Sequence, residues 1–284
     1  MAYLGNPTST IAVLKKYNLH FRKQYGQNFL IDNNILEKIV SSAQVTKEDT
    51  VLEIGPGIGT MTQYLAESAG KVIAVEIDRT LIPVLEDTLS AYDNVEIINR
   101  DILKTDLAAL AEEKNGGKPF HVVANLPYYI TTPIVMGLLE SRIAPEHMTI
   151  MIQKEVAERM QAEPGSKNYG SLSLAVQYYA CPEIMMQVSP ACFMPKPNVG
   201  SAVMRLTAYK EKPVQVEDEA HLFSVIRAAF GQRRKTLVNS LVNAEDLHVT
   251  KEQVLQAFER LEISPLVRGE ALTLKMFAEL AKRL

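Results

Sequence analysis

Three glycines at alternate positions, Gly55, Gly57 and Gly59, follow an acidic residue, Glu53, in the segment VLEIGPGIG. Glycine tolerates positive φ and lets a ligand approach the main chain closely, so this spacing predicts a ligand-binding turn between a strand and a helix. The spacing differs from the GxGxxG pattern of dinucleotide-binding folds. A carboxylate beside the turn would repel a phosphate, so we expect a ligand that carries an ammonium group and a sulfonium. A tight turn without a ligand is the alternative.

Two further acidic residues follow the next two predicted strands. Glu76 closes the first of these strands and Asp101 comes after the second. In open α/β sheets an acidic residue at the first position binds ribose hydroxyls, and a carboxylate at the second can accept a hydrogen bond from an adenine amino group. The adjoining Ile77 and Ile102 are grouped with these cofactor-binding candidates. Solvated strand ends are the alternative, but acids after three successive strands favour a single nucleoside-binding crevice.

The segment Asn125-Leu126-Pro127-Tyr128 follows the fourth predicted strand. The N6 amine of adenine is a poor nucleophile because its lone pair is delocalised into the ring. The side-chain oxygen of Asn125 and the carbonyl of Leu126 are candidate acceptors that would favour a pyramidal amine. Pro127 fixes φ, and Tyr128 offers a face on which a base can stack. A turn with a packed aromatic residue is the alternative, but the position on the fourth strand of a fold that already carries the glycine turn favours chemistry at an amine.

Short apolar runs alternate with helical patterns from residue 50 onward, for example Met61, Tyr64 and Leu65. Strands that are apolar on both faces and alternate with helices predict a parallel sheet covered on both sides. The fold class is therefore α/β, with a Rossmann-like sheet. The predicted strands are residues 51–54, 72–77, 95–98, 121–124 and 148–152, followed by 183–188 and 202–207.

The composition changes near Lys210, where a polar and charged segment, residues 209–219, contains Pro213. We expect a domain boundary there, with a catalytic domain over residues 1–209 and a small all-helical domain over residues 210–284. The first 25 residues form a basic extension of the catalytic domain. The predicted helices after the boundary are residues 221–230, 236–241, 251–261 and 271–284.

The bulk composition of the 284 residues is 47% hydrophobic and 22% charged, which is typical of a globular protein. Two cysteines, Cys181 and Cys192, cannot form a disulfide framework and fit a reducing compartment. The start lacks a signal-peptide core, and the chain has no apolar run long enough to span a bilayer. We therefore expect a cytoplasmic protein, without a membrane partner and without a metal, since the histidines and cysteines show no ligand spacing.

The net charge of −3 does not indicate nucleic-acid binding, but two clusters of basic residues stand out. Clustered cations neutralise phosphates, and aromatic residues among them can stack on unpaired bases. A solvated helix face is the alternative, and the second cluster could instead tie the two domains together. One cluster holds Lys15, Lys16, His20, Arg22 and Lys23 with Tyr17, Phe21 and Tyr25, and the other holds Arg227, Arg233, Arg234 and Lys235.

In this order, the motifs resemble those of the bacterial small-subunit rRNA adenine N6-dimethyltransferases, whose relatives include the large-subunit enzymes that give macrolide resistance. The resemblance covers nearly the whole chain. Gly200 stands where the family often has Asp, with little consequence expected. The matching segments are QNFL at 27–30, EIGPGIG at 53–59, NLPY at 125–128, FMPKPNVGS at 193–201 and FGQRRKTL at 230–237, together with Glu76 and Asp101.

The resemblance implies a class I S-adenosylmethionine-dependent methyltransferase, which acts on two adjacent adenosines near the 3′ end of 16S rRNA in the small ribosomal subunit (30S). Large-subunit rRNA or DNA as the substrate, or a role as a ribosome-assembly factor, are the alternatives. We expect a monomer, with RNA bound by Arg22, Lys23, Arg227, Arg233, Arg234 and Lys235. By the same resemblance, the cofactor is contacted by Gln27, Asn28, Leu30, Gly55 and Gly57. Its ribose is bound by Glu76 and Ile77, and its adenine by Asp101 and Ile102. Asn125 faces the methyl donor and the target amine, and the target base is sandwiched by Tyr128 and Phe193.

Overall fold

In the described part of the chain, seven strands with mainly apolar side chains form one sheet, whose spatial order is Val95–Asn99, Lys71–Glu76, Thr50–Ile54, His121–Asn125, His147–Gln153, Ser201–Ala208 and Ala180–Val188. The structure is a computed structural model, and it describes residues 3–19, 28–232 and 234–284. The predicted site residues Arg22, Lys23, Gln27 and Arg233 lie outside the described residues. The strands of the sheet are β2 Thr50–Ile54, β3 Lys71–Glu76, β4 Val95–Asn99, β5 His121–Asn125, β6 His147–Gln153, β7 Ala180–Val188 and β9 Ser201–Ala208, and a separate antiparallel pair is formed by β1 Phe29–Leu30 and β8 Phe193–Met194.

The parallel register brings the carboxyl ends of five strands, β2 to β6, to one edge of the sheet. Strand β2 pairs in parallel with β3 on one side and with β5 on the other, β3 pairs with β4, and β5 pairs with β6. Strand β9 runs antiparallel to β6. Because the strand order reverses next to β2, a crevice opens at this edge, where ligands of α/β folds bind.

Seven of the helices in the described residues begin at a residue whose side chain caps the helix. Asp32 accepts a hydrogen bond from the main chain at the start of α2, and Thr273 does the same for α12. The predicted helix 271–284 is therefore shorter in the structure, since the cap at Thr273 separates it from a 3-10 turn at Gly269–Ala271. In the described residues, the helices are α1 Pro7–Lys16, α2 Asn33–Ala43, α3 Thr60–Ser68, α4 Ile82–Thr88, α5 Leu107–Asn115, α6 Thr131–Leu139, α7 Lys154–Met160, α8 Ser171–Tyr179, α9 Glu219–Gly231, α10 Leu237–Val242, α11 Lys251–Arg260 and α12 Leu274–Ala281.

The chain divides into two units, and the division differs from the predicted domains. One unit holds Met1–Ala157 and Pro182–Ala208, and the other holds Glu158–Cys181 and Tyr209–Leu284. The predicted boundary at residues 209 and 210 lies one residue from the observed one, but residues 158–181 belong to the helical unit instead of the catalytic domain. The reason is burial, because the apolar face of α8 packs into the core formed by the later helices. The buried residues of that core include Tyr169, Leu174, Tyr178, Leu222, Val225, Leu237, Phe258 and Phe277.

Candidate active site

The three glycines form the predicted turn between strand β2 and helix α3. Gly55, Gly57 and Gly59 have φ angles of 70°, 64° and 88°, a region that other residues rarely adopt. The turn is held to the sheet by a 2.9 Å hydrogen bond from the Gly55 amide to the Val75 carbonyl. A Cβ atom on Gly57 would lie 2.9 Å from Cε1 of Phe29, whereas a Cβ atom on Gly55 would have no described atom within 4 Å. The turn therefore packs on one side and leaves open space on the other.

A cleft beside this turn encloses about 1060 Å³ of empty space, including its open mouth. It lies at the carboxyl ends of strands β2 to β5, where the register predicted the crevice. The cleft brings together the described cofactor-binding candidates and the whole Asn-Leu-Pro-Tyr segment. These lining residues are Asn28, Leu30, Gly55, Gly57, Glu76, Ile77, Asp101, Ile102, Asn125, Leu126, Pro127 and Tyr128.

Glu76 is buried at the end of strand β3, and main-chain amides hold both of its carboxyl oxygens. Its Oε2 accepts a hydrogen bond from the Gly57 amide at 3.2 Å, and its Oε1 accepts one from the Asp78 amide at 2.8 Å. Burial raises the pKa of Glu76, and these two hydrogen bonds oppose that rise. A carboxylate has about four acceptor positions, so the fixed side chain can still accept hydrogen bonds from ligand hydroxyls.

Asp101 and Ile77 form a second part of the wall. The Oδ1 atom of Asp101 accepts a 3.0 Å hydrogen bond from the Leu103 amide and caps the 3-10 turn Ile102–Lys104. Ile77 is 46% exposed and lines a cleft that also contains the carboxyl groups of Glu53, Glu76 and Asp101. An apolar surface with acceptors at its edge suits a flat ring that carries an amino group.

The Asn-Leu-Pro-Tyr segment begins at the last residue of strand β5. The Asn125 Nδ2 donates a hydrogen bond to the main-chain oxygen of Asn28 at 3.2 Å. Since a carbonyl can only accept, this contact fixes which end of the Asn125 amide is the nitrogen. The Tyr128 hydroxyl forms a 2.7 Å hydrogen bond with Ser201 Oγ, and burial raises the pKa of Tyr128. The Tyr128 ring is thus anchored at its far end in the cleft wall.

Glu53 is the most deeply buried acidic residue of the cleft, with 1% of its surface exposed. Its Oε2 atom has no hydrogen-bond partner among the described residues, and the same holds for the hydroxyls of Thr60 and Thr62. Burial raises the pKa of Glu53 to about 8, and the nearby Glu76 adds to the rise. The Thr62 hydroxyl lies close to Glu53 and opposes part of this rise, without meeting the geometry of a full hydrogen bond. The sequence indicated Glu53 as a ligand-facing acid beside the glycine turn, but its burial and unpartnered oxygen appear only in the structure.

Several other residues that the sequence did not indicate as site residues line the cleft. Phe29 lies within the QNFL motif, and Arg100 and Tyr129 adjoin predicted residues, so their neighbours in sequence were the available signal. Met61 and Ile134 lie on helices α3 and α6, where apolar periodicity alone predicts core positions.

Phe193 differs from its predicted role. Strand β8 pairs it with Leu30 of β1, and the side chain is only 4% exposed in a core cluster that also holds Leu36 and Ile39. Phe193 is not among the described residues that line the cleft. The expected sandwich with Tyr128 is therefore absent from this structure, because the Phe193 ring fills a core position.

The basic residues that were predicted to bind RNA, where the structure describes them, are exposed. Arg227 lies on helix α9 and donates to Ser224 Oγ at 2.8 Å, while Arg234 and Lys235 follow that helix. Neither Arg234 nor Lys235 forms an ion pair with a described residue. In the other cluster, Lys16 of helix α1 pairs with Asp87 at 2.6 Å, which offsets its charge.

The described ranges of the chain were also compared with the requirements of a metal site and of a membrane-spanning helix. No group of three or more His, Cys, Asp or Glu side chains there is placed to bind a metal ion. In the same ranges, every helix is too short or too polar to cross a membrane.

Solved structures with the same architecture include a dimethyladenosine transferase from Plasmodium falciparum. It superposes with a TM-score of 0.73 at 27% identity, over 89% of this chain and 95% of that one. The 23S rRNA methyltransferase ErmE superposes with a TM-score of 0.69 at 26% identity, over 90% of this chain and 99% of its own. The predicted α/β class with a Rossmann-like methyltransferase sheet is confirmed.

Sequence comparisons agree with the fold. A protein called ribosomal RNA small subunit methyltransferase A from Lachnoclostridium phytofermentans is 62% identical over 282 residues, which are 99% of this chain and 97% of that protein. A protein of the same name from Alkaliphilus metalliredigens is 52% identical, over 99% of this chain and 98% of its own. The model of the ribosomal RNA adenine dimethylases matches residues 18–284. The chain therefore belongs to the ribosomal RNA adenine dimethylase family.

Proposed function

We propose that this rRNA adenine dimethylase transfers methyl groups from S-adenosylmethionine to N6 of two adjacent adenosines near the 3′ end of 16S rRNA. The name of the relatives supports the small ribosomal subunit as the substrate, and the family supports the dimethylated product. The observation that carries the proposal is a single cleft in which the glycine turn, Glu76, Asp101 and the Asn-Leu-Pro-Tyr segment lie together.

The residues of the cleft fit S-adenosylmethionine. When bound, S-adenosylmethionine supplies an electrophilic methyl group on a sulfonium and becomes a neutral thioether after transfer. The open space at Gly55 leaves room for close approach to the main chain, and the unpartnered Glu53 carboxyl favours a positively charged ligand. Glu76 can accept hydrogen bonds from ribose hydroxyls, while Asp101 can accept one from the adenine amino group.

Asn125 and Leu126 would activate the target amine. Because Asn28 holds the Asn125 Nδ2, the Asn125 Oδ1 is the end that can accept a hydrogen bond from the target. The Leu126 carbonyl would accept the second N–H bond, and the amide of the same residue is held by the Met151 carbonyl at 3.0 Å. Two acceptors draw electron density toward the nitrogen. The methylated nitrogen then loses its proton to water at the open mouth, so that no strong base is needed.

Tyr128 would hold the target base after it leaves the RNA stack. Flipping a base costs a few kcal/mol, and stacking on an aromatic ring returns about 1–3 kcal/mol per base. The hydrogen bond to Ser201 keeps the Tyr128 ring in one position at little entropic cost. In the proposed complex, Phe193 would need to leave its core position to contact the base.

The basic residues Arg227, Arg234 and Lys235 would contact RNA phosphates. With a net charge of −3, the protein has no general attraction to RNA, so binding must come from such local clusters. Action on the ribosomal subunit also supports the cytoplasm as the site of action, while a monomeric active form stays a prediction.

A substrate comparison tests the proposal. Purified protein is incubated with labelled S-adenosylmethionine and either unmethylated 30S subunits, 23S rRNA or duplex DNA, and the product nucleoside is identified by mass. We expect N6,N6-dimethyladenosine to form only when the 30S subunits are the substrate. Product on 23S rRNA or DNA alone would overturn the substrate assignment. A ribosome-assembly role is tested separately, by asking whether a catalytically inactive variant still supports subunit maturation.

A further inference from the structure

Glu53 occupies an unusual position for a carboxyl group. It lies in strand β2 beside Ala74 of β3 and Val123 of β5, so its neighbours within the sheet are apolar. Its side chain lines the cleft but is almost fully buried, and its Oε2 has no partner in the described ranges of the chain. An ionised carboxyl group without hydrogen bonds in an apolar site is strongly unfavourable, and such groups take up a proton instead.

The other charged residues of the cleft do not stabilise the ionised form of Glu53. They are Glu76, Arg100 and Asp101. Glu76 acts on Glu53 in the unfavourable direction, since two negative charges repel each other. The elements packed around Glu53 otherwise present the uncharged hydroxyls of Thr60 and Thr62. Unlike Glu76, whose oxygens accept two main-chain hydrogen bonds, Glu53 has an Oε2 atom with no hydrogen-bond partner in the described ranges, and only the Thr62 hydroxyl opposes the rise in its pKa.

We propose that Glu53 holds a proton while the cleft is empty and releases it when a cationic ligand enters. This inference rests on the proposed function, because S-adenosylmethionine is the cation that the reaction brings. The O–H bond of the Glu53 carboxylic acid breaks, the proton passes to solvent, and the remaining carboxylate balances the positive charge of the ligand. An opposite charge within a few ångströms favours the ionised form of a carboxyl group.

A site in which ligand binding is coupled to the ionisation of Glu53 would also bind the methyl donor and its product with different affinities. The donor carries a sulfonium and an ammonium, whereas the product S-adenosylhomocysteine keeps only the ammonium. The ionised Glu53 is therefore stabilised less by the product, and a smaller fraction of the proton is released. Discrimination of this kind would help the product to leave before the next methyl transfer.

Calorimetry in buffers of different ionisation enthalpy measures the proton directly. At about pH 6.5 the α-amino group of the ligand, with a pKa of about 8, is almost fully charged and contributes little. We expect wild-type protein to release about 0.5 to 1 proton per S-adenosylmethionine and to bind it up to about tenfold more tightly per unit of pH between about 5.5 and 7. Glu53→Gln, which keeps the shape of the protonated acid, should release close to none and show a flat profile.

A matched control uses an acid of the same sheet. Glu96 on strand β4 pairs with Lys71 and Lys114, which hold the pKa of Glu96 below its usual value. Since Glu96 is ionised with or without ligand, Glu96→Gln should release the same number of protons as wild type. Equal proton release by wild type and Glu53→Gln would overturn the proposal. If neither protein binds S-adenosylmethionine, the proposed function itself fails, so the two failures are distinguishable.

A second measurement on wild-type protein removes any dependence on the folding of the variant. Infrared difference spectra with and without S-adenosylmethionine at about pH 6.5 should show the loss of one carbonyl band of a protonated carboxyl group. S-adenosylhomocysteine should give a smaller loss. Ligand binding without any loss of this band would overturn the proposal.

Discussion

At the scale of single residues, Asn125 has one end of its amide held by Asn28 while its oxygen remains for a target. We predict that Asn125→Ala lowers methyl transfer by about 100- to 1000-fold, the usual cost of losing one polar group that acts on the reacting atoms. Cofactor affinity should stay within a few fold, because Asn28 and the glycine turn are unchanged. Single-turnover assays and calorimetry measure the two quantities. Full activity of the variant would remove Asn125 from the mechanism.

Glu76 connects the glycine turn to the next strand and is the expected ribose ligand. Glu76→Ala removes acceptors for Gly57 and Asp78 as well as for the ribose. We expect S-adenosylmethionine to bind about 10- to 100-fold more weakly, as hydrogen bonds to a charged group contribute about 1.5–3 kcal/mol. Calorimetry checks this result. An unchanged affinity would show that the ribose assignment is wrong.

Glu53 also predicts how the stability of the ligand-free protein depends on pH. Its pKa rises from 4.5 to about 8 on folding, so between these values the folded protein binds more protons than the unfolded chain. The contribution of Glu53 to stability is therefore full below the unfolded pKa and is lost as the pH rises toward 8. We expect the melting temperature of wild type, relative to Glu53→Gln, to fall by several degrees between about pH 5 and 8. A constant difference across this range would contradict the buried, protonated state.

At the scale of elements, the turn between β2 and α3 needs a positive φ angle at Gly55, and the space beside this residue is open to the cleft. Gly55 and Gly116 both have positive φ, 70° and 59°, and neither would place a Cβ atom within 4 Å of a described atom. Alanine at either position should cost about 1–2 kcal/mol in the free energy of unfolding. Only Gly55→Ala places a methyl group beside the cleft, so we predict at least about tenfold weaker cofactor binding for it and no change for Gly116→Ala.

Denaturant unfolding and calorimetry on the two alanine variants provide the comparison. Equal affinities for both variants would show that the ligand does not approach the main chain at Gly55.

The elements themselves were largely predictable. The five predicted parallel strands match β2 to β6 within two residues at each end, because continuous apolar runs bounded by polar residues are a local signal. The pairing of β1 with β8 was not predictable, since each strand has two residues and their contact joins distant parts of the chain. Burial of Phe193 follows from that pairing, which is why its cleft position was not reproduced.

At the scale of the whole molecule, the helical unit carries exposed cations on a chain of net negative charge. We predict that the double variant Arg234→Ala, Lys235→Ala binds unmethylated 30S subunits more weakly and leaves S-adenosylmethionine affinity unchanged. Loss of two phosphate contacts should reduce the slope of log K against log salt by about 1.4 to 1.8. Filter binding at several salt concentrations measures this slope.

The control for this variant is a pair of cations that already have a partner. Lys282 and Arg283 both pair with Glu279, at 3.0 and 2.9 Å. The double variant Lys282→Ala, Arg283→Ala should change the slope little, because both cations already pair with a carboxylate of the protein. An equal loss of slope in both double variants would show that Arg234 and Lys235 make no specific RNA contact.

The amino-acid sequence was sufficient for the α/β class, the glycine turn, the acidic strand ends and the family, because each depends on residue types at short spacing. Even the gathering of Glu76, Asp101 and Asn125 in one cleft follows from a general property of parallel sheets, whose carboxyl ends share an edge. These features are local or topological, so they can be read along the chain.

Other features depended on the packed structure. Helix α8 has the same periodicity as the helices of either unit, and only the apolar side chains that surround Tyr178 and Leu174 assign it to the helical unit. The missing partner of Glu53 is likewise a property of its surroundings in space, as its position in the sequence is that of any acid before a glycine turn. Burial and hydrogen bonding are set by residues far away along the chain, and therefore they required the tertiary structure.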